Sequence, residues 1–112
     1  MNIQNTKLQP LDLSAVRIED NYLLNALAKE CDYLSSLEEG RLLAGFYENA
    51  GIKTPFVRYG GWESGLIGGH TLGHYLTAIA QMSVHPALPQ EKRDFFSARA
   101  KRMTDELSDC QD

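Results

Sequence analysis

The sequence predicts an all-α fold of about four helices arranged in two hairpins. Three observations predict it. Apolar residues recur at steps of three and four in four separate stretches, and no stretch shows sustained alternation of period two. The region richest in glycine, residues 59–69, falls between the second stretch and the third, and reads as a loop.

Residues 1–13 are polar, contain Pro10 and show no sustained period, so an extended arm is expected. Over residues 19–34, Leu23, Leu24, Leu27, Cys31 and Leu34 mark an amphipathic helix whose solvent face carries Glu19, Lys29 and Asp32. Ser35 and Ser36 interrupt it, and Ser36 with Glu39 has the spacing of a capping box that starts a second helix. Leu42, Leu43, Phe46, Tyr47 and Ala50 supply the buried side of that helix. Gly51 is placed to be its left-handed C-terminal residue. Gly40 lowers its propensity in the first turn, where the cost is least. These two helices make the first hairpin.

Residues 52–58, with Pro55 inside them, form an extended connector. A third helix starts near His70 and continues to about Met82, with Leu72, Tyr75, Leu76 and Ile79 on its apolar side. His85-Pro86 and Pro89 stop it, and Pro89 suits the first turn of a fourth helix with Gln90 and Glu91 near its positive end. Phe96, Ala100, Met103, Leu107 and Cys110 give that helix the cleanest period in the chain. Its charged residues Glu91, Lys92, Arg93, Lys101, Arg102, Asp105 and Glu106 read as a solvated face without functional weight.

With 112 residues, 43% of them apolar, the chain is expected to be a single helical unit with one modest core. Eleven basic and 15 acidic residues give a net charge of −4 with no basic stripe, which disfavours nucleic acid as a partner. No segment approaches the roughly 20 apolar residues needed to cross a bilayer. The first ten residues lack the apolar core of a signal peptide, so a cytoplasmic location is expected. Cys31 and Cys110 are too few for a disulfide framework and fall on apolar helical positions, where a thiol is usually a small buried hydrophobe.

Chemistry concentrates in residues 59–76, which read YGGWESGLIGGHTLGHYL. His70, His74, Thr77 and Gln81 form a narrow polar stripe opposite the apolar side of the third helix. The stripe carries no formal Asp, Glu, Lys or Arg charge, so it suits a water-lined cleft as readily as an ordinary polar face. The one-turn spacing of His70 and His74 can place two imidazoles on one metal. However, Thr71 stands where a zinc protease has its Glu, and the sequence offers no third ligand nearby, so no metal site is expected here. Gly60-Gly61 and Gly68-Gly69 match no phosphate-binding spacing.

As a string, the stretch closely resembles the N-terminal signature of glycoside hydrolase family 127, the β-L-arabinofuranosidases and their relatives, where a GGWE segment leads into a GHTLGHYL helix. The resemblance extends through residues 12–18, Tyr33-Leu34, residues 41–46, Asn49-Ala50-Gly51, Glu106-Leu107 and Cys110-Gln111. It implies the first part of an (α/α)6 barrel whose inner helices line a sugar pocket. It also implies retaining hydrolysis of a β-L-arabinofuranosyl linkage by a zinc-bound cysteine nucleophile with a glutamate acid/base. Members of the family are several hundred residues long, so the chain is expected to be an N-terminal portion of a larger catalytic domain.

The family's nucleophile, acid/base and zinc ligands have no match among these residues. No catalytic residue and no cofactor are therefore expected in this chain, and Cys110 does not inherit the nucleophile's role. The candidate substrate-binding residues are Trp62, Glu63, His70, Thr71 and His74, which offer a stacking face and hydroxyl partners for a carbohydrate in the full-length context. Trp62 could equally anchor the loop over the hairpin, and Glu63 could cap the following helix. A related, non-catalytic helical module for binding or assembly is the competing reading. If a missing barrel normally covers Leu72, Tyr75, Ile79, Phe96 and Met103, those residues form an exposed apolar patch that drives self-association.

Overall fold

The computed structural model describes residues 7–112. Among them lie four helices and no strand: α1 (Asn21–Ser36), α2 (Glu39–Ala50), α3 (His70–Val84) and α4 (Gln90–Gln111). Short 3-10 turns occur at Leu13–Ala15 and Gly61–Ser64. The expected arm falls partly on residues 1–6, outside the described residues; residues 7–12 carry no helix or strand.

α3 and α4 pack against each other most closely, as the expected second hairpin. α2 lies across α4 and touches α3, while α1 packs on α3, so the Leu37-Glu38 turn delivers the first two helices to different parts of the second pair. The core is centred on Phe96, Ile79, Met103 and Cys31, with Leu34, Leu42, Leu43, Leu72 and Tyr75 around them. Leu72, Tyr75, Ile79, Phe96 and Met103, expected as an uncovered patch, are thus buried within this chain, because the apolar stripes of α3 and α4 face one another.

The helix ends show where local chemistry prevailed. Asp20 caps α1, its Oδ1 accepting the Leu23 N–H at 3.0 Å. The capping box expected from Ser36 and Glu39 does not form. Ser35 and Ser36 stay inside the last turn of α1, donating their hydroxyls back to the carbonyls of Cys31 and Tyr33. Leu37 then extends to pack against the core, and Glu38 becomes the N-cap of α2 without a side-chain bond. Its N–H is instead satisfied by the Tyr59 hydroxyl at 2.9 Å. Gly51 takes φ 74°, and the N–H of Ile52 reaches back to Tyr47 O at 2.9 Å, closing α2 as expected.

α3 runs two residues beyond Met82 to Val84. Buried His85 then turns the chain, its Nδ1 accepting the Ala87 N–H at 3.2 Å. Pro89 sits at the N-cap of α4 rather than in its first turn. Its ψ of 150° is extended, and its carbonyl accepts the N–H groups of Lys92 and Arg93. The C-terminal end of α1 is held by Arg99, whose Nη1 lies 3.0 Å from Leu37 O and 3.4 Å from the carbonyls of Leu34 and Ser35. Its Nε pairs with Glu39 at 3.4 Å, and its guanidinium lies over the Phe95 ring.

Candidate functional site

The loop of residues 59–69 is anchored at its start by Tyr59. The Arg41 guanidinium stacks on that ring 4.0 Å from its centroid, and Arg41 Nε donates to Val57 O at 2.9 Å. The chain then forms the turn Gly61–Ser64, closed by the Ser64 hydroxyl donating to Gly61 O. Within that turn, Trp62 and Glu63 point to opposite environments. Trp62 is 79% exposed, so its indole is not an anchor packed over the hairpin, whereas Glu63 is only 8% exposed.

The Glu63 carboxylate spans the foot of the loop. Oε2 accepts the Gly69 N–H at 2.9 Å and Oε1 accepts the Thr71 N–H at 3.0 Å, satisfying donors at the start of α3 that have no intrahelical partner. A carboxylate at this end of a helix is also favoured by the backbone dipole. Burial would raise the Glu63 carboxyl. Hydrogen bonds from the Thr71 side chain and from the Thr71 and Gly69 backbones, with the charge of His70, outweigh it and hold the group below the usual carboxylate range. Gly69 enters the helix at φ 98°, and a Cβ there would also stand 3.0 Å from the Phe46 ring.

His70 and His74 sit on consecutive turns with their Nε2 atoms 3.0 Å apart and their rings edge to face. Both are exposed, as are Thr71, Thr77 and Gln81, so the stripe faces outward from the described residues. α3 contains no Asp, Glu, Lys or Arg. The structure thus joins His70 to His74, and Glu63 to the backbone of Thr71, while Trp62 stands apart in solvent.

A cavity of about 270 Å³ lies behind the loop, lined in part by Phe46, Asn49, Arg58, Glu63 and Gly69. Of the five candidate residues only Glu63 reaches it. Arg58 was not anticipated from the sequence. Its Nη1 donates to Glu63 O at 3.4 Å and its Nε pairs with Glu48 at 3.2 Å, tying loop to α2. The available signal was its position as the last Lys or Arg before Lys92.

Among the described residues no three His, Cys, Asp or Glu side chains converge. Cys31 and Cys110 are free thiols, each pushed up chiefly by burial. Acidic neighbours add to the shift, against Lys92 in the case of Cys31. Such thiols are poor nucleophiles at neutral pH. Among the described residues no helix is long and apolar enough to cross a membrane.

No curated protein and no solved structure gives a significant match to this chain. A family model does, over residues 15–112, described as the GH127 catalytic domain of β-L-arabinofuranosidase. That span takes in the arginine-stacked loop, the Glu63 cap and the histidine stripe, and the chain belongs to the GH127 β-L-arabinofuranosidase catalytic-domain family.

Proposed function

We propose that the chain supplies one wall of the sugar pocket of a glycoside hydrolase, as the N-terminal part of a larger catalytic domain working in the cytoplasm. The observation that carries this reading is the outward face of α3. Its exposed His70, His74, Thr77 and Gln81 bring hydrogen-bonding groups without formal carboxylate, ammonium or guanidinium charge, and the loop leading into it carries an exposed Trp62. A furanoside needs that combination, with hydroxyls met by imidazole and side-chain oxygen and C–H faces met by an indole.

In this reading Trp62 stacks on the sugar, while His70, Thr71 and His74 bond its hydroxyls. Glu63 adds its charge from beneath and fixes the loop against α3. The nucleophile, the acid/base and the zinc lie outside these 112 residues, so the chain alone has no hydrolytic activity. The test pairs a chromogenic β-L-arabinofuranoside assay with saturation-transfer NMR on the purified chain. No turnover is expected, with weak saturation transfer to the sugar that Trp62→Ala and His74→Ala abolish. Turnover by the purified chain, or transfer unchanged in both variants, refutes the proposal.

One observation favours a second reading, a non-catalytic helical module for binding or assembly. The α3 and α4 stripes bury each other, and the four helices close a core from their own residues. Self-association would then run through the apolar groups left outside, chiefly Tyr22, Tyr33, Val57, Trp62, Leu66 and Ile67. A discrete oligomer in light scattering that Leu66→Asp dissociates would support this reading over the first.

A further inference from the structure

We infer that His70 and His74 form a two-imidazole site for a divalent transition metal that prefers ligands at right angles, of the nickel(II) or copper(II) class. The inference does not rest on the sugar reading. Spacing alone gave these residues no metal; the placement of their nitrogens adds what spacing lacked. The two Nε2 atoms stand 3.0 Å apart. At a metal–nitrogen distance of about 2.1 Å, two ligands at 90° are separated by about 3.0 Å, and two at the tetrahedral angle by about 3.4 Å. The observed separation is that of the hydrogen bond the two rings share, and it lies within the span of a cis pair on a square-planar or octahedral ion.

Three further features suit the pair to an ion. Both rings are exposed, so water can complete the coordination sphere. α3 carries no Lys or Arg that would repel a cation. Its positive N-terminal end is compensated by the Glu63 carboxylate, which bonds the backbone of Gly69 and Thr71 on either side of His70.

In the metal-free pair, one imidazole donates its Nε2 proton to the other. On binding, that ring carries its proton on Nδ1 instead, and both Nε2 lone pairs turn to the ion. No redox step is involved, and a pair that holds an extra proton releases it to the buffer.

The test is a titration of the purified 112-residue chain with nickel(II), and separately with zinc(II), in a weakly coordinating buffer, followed by calorimetry and by nickel d–d absorption. A 1:1 nickel complex tighter than the zinc complex is expected, weakened at least about tenfold by His70→Gln and by His74→Gln. The variants are checked by circular dichroism, and a Cys31→Ser/Cys110→Ser chain should bind nickel unchanged. Absence of saturable nickel binding overturns the inference. So does binding that survives both histidine substitutions or disappears with the cysteines.

Discussion

Arg99 Nη1 lies 2.9 Å from the hydroxyl of Tyr75, and that hydroxyl donates in turn to Leu34 O at 2.8 Å. Two residues from α4 and α3 thereby close the carbonyl end of α1, which no glycine or lysine of α1 itself caps. The arrangement is buried, with the Arg99 side chain 13% exposed. Arg99→Met should cost about 2–3 kcal/mol in urea unfolding, as expected for hydrogen bonds from a charged donor to buried acceptors. Tyr75→Phe should cost about 1–2 kcal/mol, and the double variant less than the sum, because the two groups share Leu34 O. Additive losses would show that they act separately.

Glu63 predicts a specific dependence on acid. Its folded carboxyl is held below its ordinary value, so its contribution is complete above the unfolded value of about 4.3 and is lost as pH falls through the folded one. At pH 7, Glu63→Gln should destabilise by about 1–2 kcal/mol, the usual worth of a side-chain cap with a charged acceptor. The gap between the two proteins should narrow as the pH falls below about 4.3. A gap that stays constant to pH 3 would assign the loss to packing instead.

Gly69 joins a left-handed backbone to a crowded site, with φ at 98° and the Phe46 ring where a Cβ would stand. Gly69→Ala is expected to lose about 1–2 kcal/mol from the backbone conformation alone. The added contact with Phe46 should broaden or shift that ring's NMR signals. An unchanged stability would mean that the loop re-routes its entry to α3.

Trp62 is the only tryptophan, which makes its environment directly readable. Its 79% exposure predicts water-like emission and ready quenching by acrylamide. Trp62→Ala should change stability by less than about 0.5 kcal/mol. A blue-shifted, protected indole would show that the side chain is packed rather than exposed.

Much of this fold could be read from periodicity. The stripe Phe96, Ala100, Met103, Leu107 and Cys110 lies on the packed side of α4, and Gly51 closes α2 in the left-handed conformation. Periodicity shows which face of a helix is apolar but not which helix it meets. It therefore left Leu72, Ile79 and Met103 free to be an outer patch when they in fact cover each other. Ser36 and Glu39 had the spacing of a cap, yet a serine hydroxyl can also reach the carbonyl one turn back, and Ser36 bonds Tyr33 O.

Long-range polar contacts gave less notice still. Arg99 binds residues more than 60 positions away, and nothing in its local sequence sets it apart from the exposed Arg102 beside it. Of the candidate site, the string of residues 59–76 pointed to the family whose model matches residues 15–112. It left open whether Glu63 meets solvent or backbone, because either role requires only a carboxylate before a helix.

The clamp on α1 acts at one end only. Cys31 and Leu34 are buried near that end, whereas Tyr22 and Leu23 in the first turn are 80% and 51% exposed. α1 is therefore moored at its C-terminus and loosely held at its start. Amide hydrogens should exchange slowly around Leu34 and increasingly fast toward Asn21, a gradient of local opening along one continuous helix. Releasing the mooring with Arg99→Met should flatten that gradient by speeding the slow end, while the fast end stays as it is.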